Sequence, residues 1–139
     1  MGGGGRLRAV AVHGTYEAAA VLAAAGPDGV LLISAKGAAA WPGPDGFAAI
    51  VAQAASAHPG VRHVAVLDCG AEPGSALDAI RRGWQLLVLH PCPAFSHVAA
   101  AAATLGTGLL CIRPKALDAS LLDLRSRKGQ AALAAWLAS

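Results

Sequence analysis

Five short apolar runs recur along the chain at near-regular spacing, and a helix-like stretch follows each. They are LRAVAVH (7–13), GVLLISA (29–35), VRHVAVLD (61–68), WQLLVLH (84–90) and GLLCIRP (108–114). Each is short, unbroken and rich in Val, Leu and Ile, the composition of strands covered on both faces in a parallel sheet. The stretches between them predict helices near 16–25, 46–57, 75–82 and 94–105, with a last one from about 120 to the end. Thr15 stands where it could cap the first helix, and Gly26-Pro27 would stop it. Ser75 with Asp78, and Ser120 with Asp123, have the spacing of capping boxes. Gly106 and Gly108 separate the fourth helix from the fifth strand, and Gly129 is expected to interrupt the last helix. The pattern predicts an α/β fold of five βα units with a parallel sheet and right-handed crossovers. Two arrangements fit, a partial TIM-barrel-like one and an open flavodoxin-like one. A whole (βα)₈ barrel normally needs about 250 residues, and this chain has 139.

That length is one domain's worth, read here as a flexible leader over 1–6 (MGGGG and Arg6) and a single α/β domain over 7–139. With 55% hydrophobic and 14% charged residues, the chain is not a disordered tail. The longest weakly apolar run, Phe95 to Ile112, holds His97 and a Gly-Thr-Gly break, so a helix plus a strand is expected there rather than a membrane span. No charged n-region followed by a leucine-rich segment opens the chain, and a cytoplasmic protein is expected. Three cysteines, Cys69, Cys92 and Cys111, make an odd number, each in or just after an apolar run, and reduced thiols are expected. The net charge of +3 comes in small cationic groups, while aromatics are only 4%. Nucleic-acid surfaces usually add stacking aromatics or a known motif, so no nucleic-acid partner is expected. The cations read as solvated surface first and as a site for a small anionic ligand second.

Function in parallel α/β folds sits at the carboxyl ends of the strands. Here those ends are His13-Gly14-Thr15, Ser34-Ala35-Lys36-Gly37, Asp68-Cys69-Gly70, His90-Pro91-Cys92 and Arg113-Pro114-Lys115. If the ends converge, Cys69, His90 and Cys92 beside Asp68 could form a soft N/S metal site, with zinc the metal such donors suit. The spacing is not that of a zinc motif, and buried Cys also serves as a small hydrophobe. Asp68 has two readings, a turn carboxylate or a general acid/base. Lys36 or Lys115 could form a Schiff base if desolvated. Gly37 and its loop could offer amides to a phosphate. The candidate ligand-binding set is His13, Ser34, Lys36, Gly37, Arg113 and Lys115.

The segment GVLLISAKGAAAWPGPDGFAAIVAQAASAHPGVRHVAVLDCG resembles the second and third βα units of class II ketose-bisphosphate aldolases. There a strand ends in Ser before a Gly-containing turn, and an aromatic-Gly loop, a helix, an HP turn and a strand ending in His-x-Asp-His-Gly follow. SALDAIRRGWQLLVLHP resembles the next unit, and AVAVHGTYEAAAVLAAA the first. The resemblance covers about residues 7–92 and continues more loosely to about 116. It implies that Asp68 matches the family's catalytic Asp, which shuttles a proton in carbon–carbon cleavage. Cys69 stands where the family has a zinc-ligand His, and Val66 replaces an earlier His. His90-Pro91-Cys92 takes the place of an Asp-Gly-Ser region, and CIRPKALD brings Arg113 and Lys115 where carboxylates are expected. The units that would carry the remaining zinc ligands and most of the phosphate site are missing.

The resemblance therefore implies an aldolase-like domain without aldolase activity that binds a small phosphorylated or carbonyl metabolite or acts through partner contacts. No resident cofactor is expected; zinc belongs to the alternative, a small metal-dependent lyase using Asp68 as acid/base. A further alternative is a receiver-like signalling domain, from Asp68 after the third strand and Lys115 after the fifth. It lacks the acidic pair that would hold Mg²⁺. A half-barrel leaves sheet edges unpaired, so a homo-oligomer, or a partner that covers the edge, is expected.

Overall fold

The computed structural model describes residues 7–139; the leader expected over 1–6 lies outside them. The chain is α/β, and its strands pair in parallel throughout. In chain order the elements are β1 (Ala9–Ala11), α1 (Thr15–Ala24), β2 (Val30–Ile33), α2 (Gly43–Ala57), β3 (His63–Asp68), α3 (Pro73–Arg81), β4 (Leu86–Val88), α4 (Phe95–Leu105), β5 (Gly108–Leu110), β6 (Ala116–Asp118) and α5 (Arg127–Ala138). A short 3₁₀ turn over Ala119–Leu121 follows β6. Among the described residues no helix is long and apolar enough to cross a membrane.

Two compact units divide these elements. The first takes the chain up to Ile33, Ile50–Val64 and Lys115–Ser139; the second takes Ser34–Ala49 and Ala65–Pro114. In the first unit β1 lies between β2 and β6, with Ala9 opposite Leu31 on one side and Ala116 on the other. Successive β1 residues Ala9, Val10 and Ala11 are all buried, as a strand covered on both faces requires. α1 turns Ala18, Val21 and Leu22 inward. The Trp136 indole of α5 donates to the Ala9 carbonyl at 2.9 Å, and the Arg8 guanidinium lies 5.8 Å from the centre of the Trp136 ring.

In the second unit β4 lies between β3 and β5, with Leu67 opposite Leu87 and Leu87 opposite Leu109. Phe47, from the first half of α2, stacks on Trp84 with ring centres 6.0 Å apart. The Trp84 indole donates to the Pro44 carbonyl at 3.1 Å, which gives a buried amphipathic ring its one polar partner. Arg82 pairs with both Asp45 (2.7 Å) and Asp78 (3.0 Å) on the surface.

The five expected strands are present, shorter than the apolar runs that announced them. The run read as one strand over 108–114 is a strand only as far as Leu110, and a sixth strand, β6, which the sequence pattern did not reveal, forms beyond it at Ala116–Asp118. Capping differs more. α1 is capped by Gly14 and begins at Thr15, whose hydroxyl faces Gln53 instead. α3 begins at Pro73 behind Glu72, so Ser75 lies inside it, and Asp78 serves Arg82 rather than a cap. Ser120 is held by Asp118, and the cap of α5 is Ser126, whose Oγ accepts from the Gly129 amide at 3.0 Å. Gly129 does not interrupt the last helix. It sits buried in the first turn of α5, where a Cβ would fall 1.9 Å from the Asp123 carbonyl oxygen.

Candidate functional site

β3 ends in the second unit with three consecutive buried residues, Val66, Leu67 and Asp68. Its carboxylate is 0% exposed, so every charge-bearing oxygen must find its partner inside the protein. Oδ1 accepts from the Gly70 amide at 2.7 Å and the Gly37 amide at 3.2 Å. Oδ2 accepts from Arg113 Nη1 at 2.7 Å, while Arg113 Nη2 donates to the Ser34 carbonyl at 2.9 Å. The Asp68 amide donates to Ser34 Oγ at 2.9 Å, and its carbonyl accepts from the Ala39 amide at 3.2 Å.

Local sequence explains why these donors converge. Gly37 and Gly70 have φ of +68° and +60°, the left-handed region that glycine enters without a Cβ penalty. Each turn thereby swings an amide back toward the end of β3. Arg113 comes from the irregular stretch between β5 and β6, which the early end of β5 creates. Asp68 is thus bound to the turn after β2, the turn after β3 and the segment after β5, and no buried polar side-chain atom among the described residues lacks a hydrogen-bond partner.

The other expected site residues are placed as follows. Ser34 is buried and joins the network; Gly37 contributes its amide. Lys36 is exposed on the same turn. Cys69 is buried with its amide on the Val88 carbonyl at 2.8 Å. Burial, and next the adjacent Asp68 charge, push its thiol up to about 12, so it stays protonated at neutral pH. The His90 amide donates to the Gly70 carbonyl at 2.7 Å, and the Cys92 carbonyl accepts from Phe95. Among the described residues no three His, Cys, Asp or Glu side chains stand together in a group fit for a metal ion. All three cysteines are free thiols.

His13 and Lys115 lie in the first unit. Lys115 is exposed. His13 Nε2 is 2.9 Å from Asp118 Oδ1, and the His13 amide donates to Glu17 Oε1 at 2.8 Å. Burial alone would raise the Asp118 carboxyl, but the Ser120 hydroxyl, His13 and the Ser120 amide outweigh it and hold the group below the usual carboxylate range.

Sequence reasoning placed Arg113 among ligand-binding residues and missed that it is Asp68's counter-ion. It also missed Asp118 and Ser120. A signal for Asp118 existed: AVLD of β3 and ALD of β6 both close an apolar run with Asp. The Arg113 pairing left no local trace, because its partner is 45 positions away. Compared with known proteins, the chain matches no protein-family model and no curated protein.

Proposed function

We propose that this chain is a class II aldolase-like domain that has no aldolase activity and binds a small anionic metabolite, a phosphorylated carbonyl compound by class. The observation that carries the reading is the state of Asp68: fully buried, with Arg113 on one oxygen and the Gly37 and Gly70 amides on the other. A general base needs its lone pair within reach of the substrate's proton, and this carboxylate is fully buried with both oxygens already accepting from the protein. Cys69 is buried without two further His, Cys, Asp or Glu side chains grouped around it among the described residues, which supports the same reading, since a zinc site takes three or four such ligands. Lys36, exposed on the turn that holds Asp68, leaves a cation for an anionic ligand, as does the net charge of +3. On this reading the domain works in a reducing, cytoplasmic setting and self-associates through an unpaired strand edge.

Purified protein, with and without added zinc, should show no cleavage of fructose 1,6-bisphosphate above buffer. Dihydroxyacetone phosphate should raise the melting temperature by a few degrees at saturation, and Lys36→Ala should weaken that response. Zinc-dependent cleavage that disappears in Asp68→Asn, or stoichiometric zinc that disappears in Cys69→Ala, would overturn the proposal. So would a flat melting temperature at millimolar ligand.

A further inference from the structure

The first unit holds a second group of titratable side chains, independent of Asp68. His13 lies just past β1 and Asp118 ends β6, neighbouring parallel strands, so the two meet at the carboxyl ends where α/β sheets present ligands. Asp118 Oδ1 lies 2.9 Å from His13 Nε2 and also accepts the Ser120 amide at 3.0 Å and the Ser120 hydroxyl at 2.7 Å. An ionised carboxylate only accepts, so the neutral ring carries its proton on Nε2 and leaves Nδ1 with a free lone pair. The His13 side chain is 35% exposed, enough for solvent and a small molecule to reach it. A second carboxylate, Glu17, sits on the His13 amide at 2.8 Å, so the local charge disfavours anionic ligands. α1 opens at Thr15 with no side-chain cap, which leaves first-turn amides as donors directly after the histidine in the chain.

We propose that His13, positioned by Asp118, is a general base for the hydrolysis of small uncharged esters. Nδ1 takes a proton from water as the water oxygen bonds to the acyl carbon. The tetrahedral oxyanion collapses, the bond to the alcohol oxygen breaks, and the imidazolium returns the proton to the leaving alkoxide. The products are a carboxylic acid and an alcohol, with no redox change and no co-reactant. Asp118 stabilises the imidazolium and fixes its tautomer, as a carboxylate partner does in hydrolytic triads.

The test is hydrolysis of p-nitrophenyl acetate by the full chain in H₂O and D₂O. General-base catalysis contributes about 10²–10⁴-fold, so His13→Gln should lower kcat/KM by at least about tenfold. Asp118→Asn should lower it as well, because the Asn carbonyl can keep Ser120 and the Nε2 proton while the charge that stabilises the imidazolium is lost. His97→Gln, at an exposed position on α4, should leave the rate unchanged, and D₂O should slow the wild type. A wild-type rate in His13→Gln, a wild-type rate in natively folded Asp118→Asn, or equal rates in H₂O and D₂O would each overturn the proposal. If Asp118→Asn does not fold, Ser120→Ala replaces it: a lower kcat at unchanged KM supports the positioning role, and an unchanged kcat overturns it.

Discussion

Removing the Arg113 side chain would strand a carboxylate that has no contact with water. The pair is short, 2.7 Å, with Arg113 15% and Asp68 0% exposed. Breaking a buried pair from one side costs about 3–5 kcal/mol, whereas replacing both partners with apolar groups is often close to neutral. Arg113→Ala should therefore lower urea stability by about that amount, and Arg113→Ala with Asp68→Leu should recover part of it. Equal stability of Arg113→Ala and wild type would show that the ion pair is not what holds this turn. At the same scale, the Asp at the end of the third strand was legible in the sequence as a special residue. Its role was not, because AVLDCG looks the same whether the carboxylate faces a substrate or an arginine supplied from beyond β5.

Helix and strand existence was legible wherever a run of Val, Leu and Ile alternated with an Ala-rich stretch, and α1, α2 and α4 fall within a few residues of expectation. Ends were harder to read, since Ser-x-x-Asp spacing appears at Ser75 and Ser120 without either serving as an N-cap. What decides the start of α5 is the backbone of the turn before it: the Asp123 carbonyl passes so close to Gly129 that only hydrogen fits. The glycine that seemed to break a helix allows it to begin. Gly129→Ala should cost about 2 kcal/mol or more, as overpacking does, and should fray α5. The Trp136 hydrogen bond to Ala9 makes that visible as a red shift in tryptophan emission. A stability equal to wild type would mean that the Asp123 turn moves aside freely.

For the molecule as a whole, the parallel α/β architecture was written in the spacing of its apolar runs, which is a local property repeated along the chain. Which strand neighbours which was not, and β6 beside β1 comes from a stretch with no clear periodicity. Global unfolding should report through Cys69. Its folded-state thiol is raised from 9.0 to about 12, so the stability linked to it is fully present below pH 9 and declines as pH rises from there toward 12. Wild type should lose stability over that window more steeply than Cys69→Ala. In native protein at pH 8, iodoacetamide should reach the exposed Cys111 and spare Cys69 until denaturant is added; parallel pH profiles for the two proteins, or prompt alkylation of Cys69, would contradict this.

The Asp68–Arg113 arrangement also constrains how such a chain can change over generations. Neither partner can mutate first without passing through a destabilised intermediate, because the effects of two contacting residues do not add. A lineage that once needed a free carboxylate at this strand end and then gained the arginine would find the step hard to retrace. Losing Arg113 would require compensation elsewhere first, so the pair is entrenched by the same bonds that make it stable.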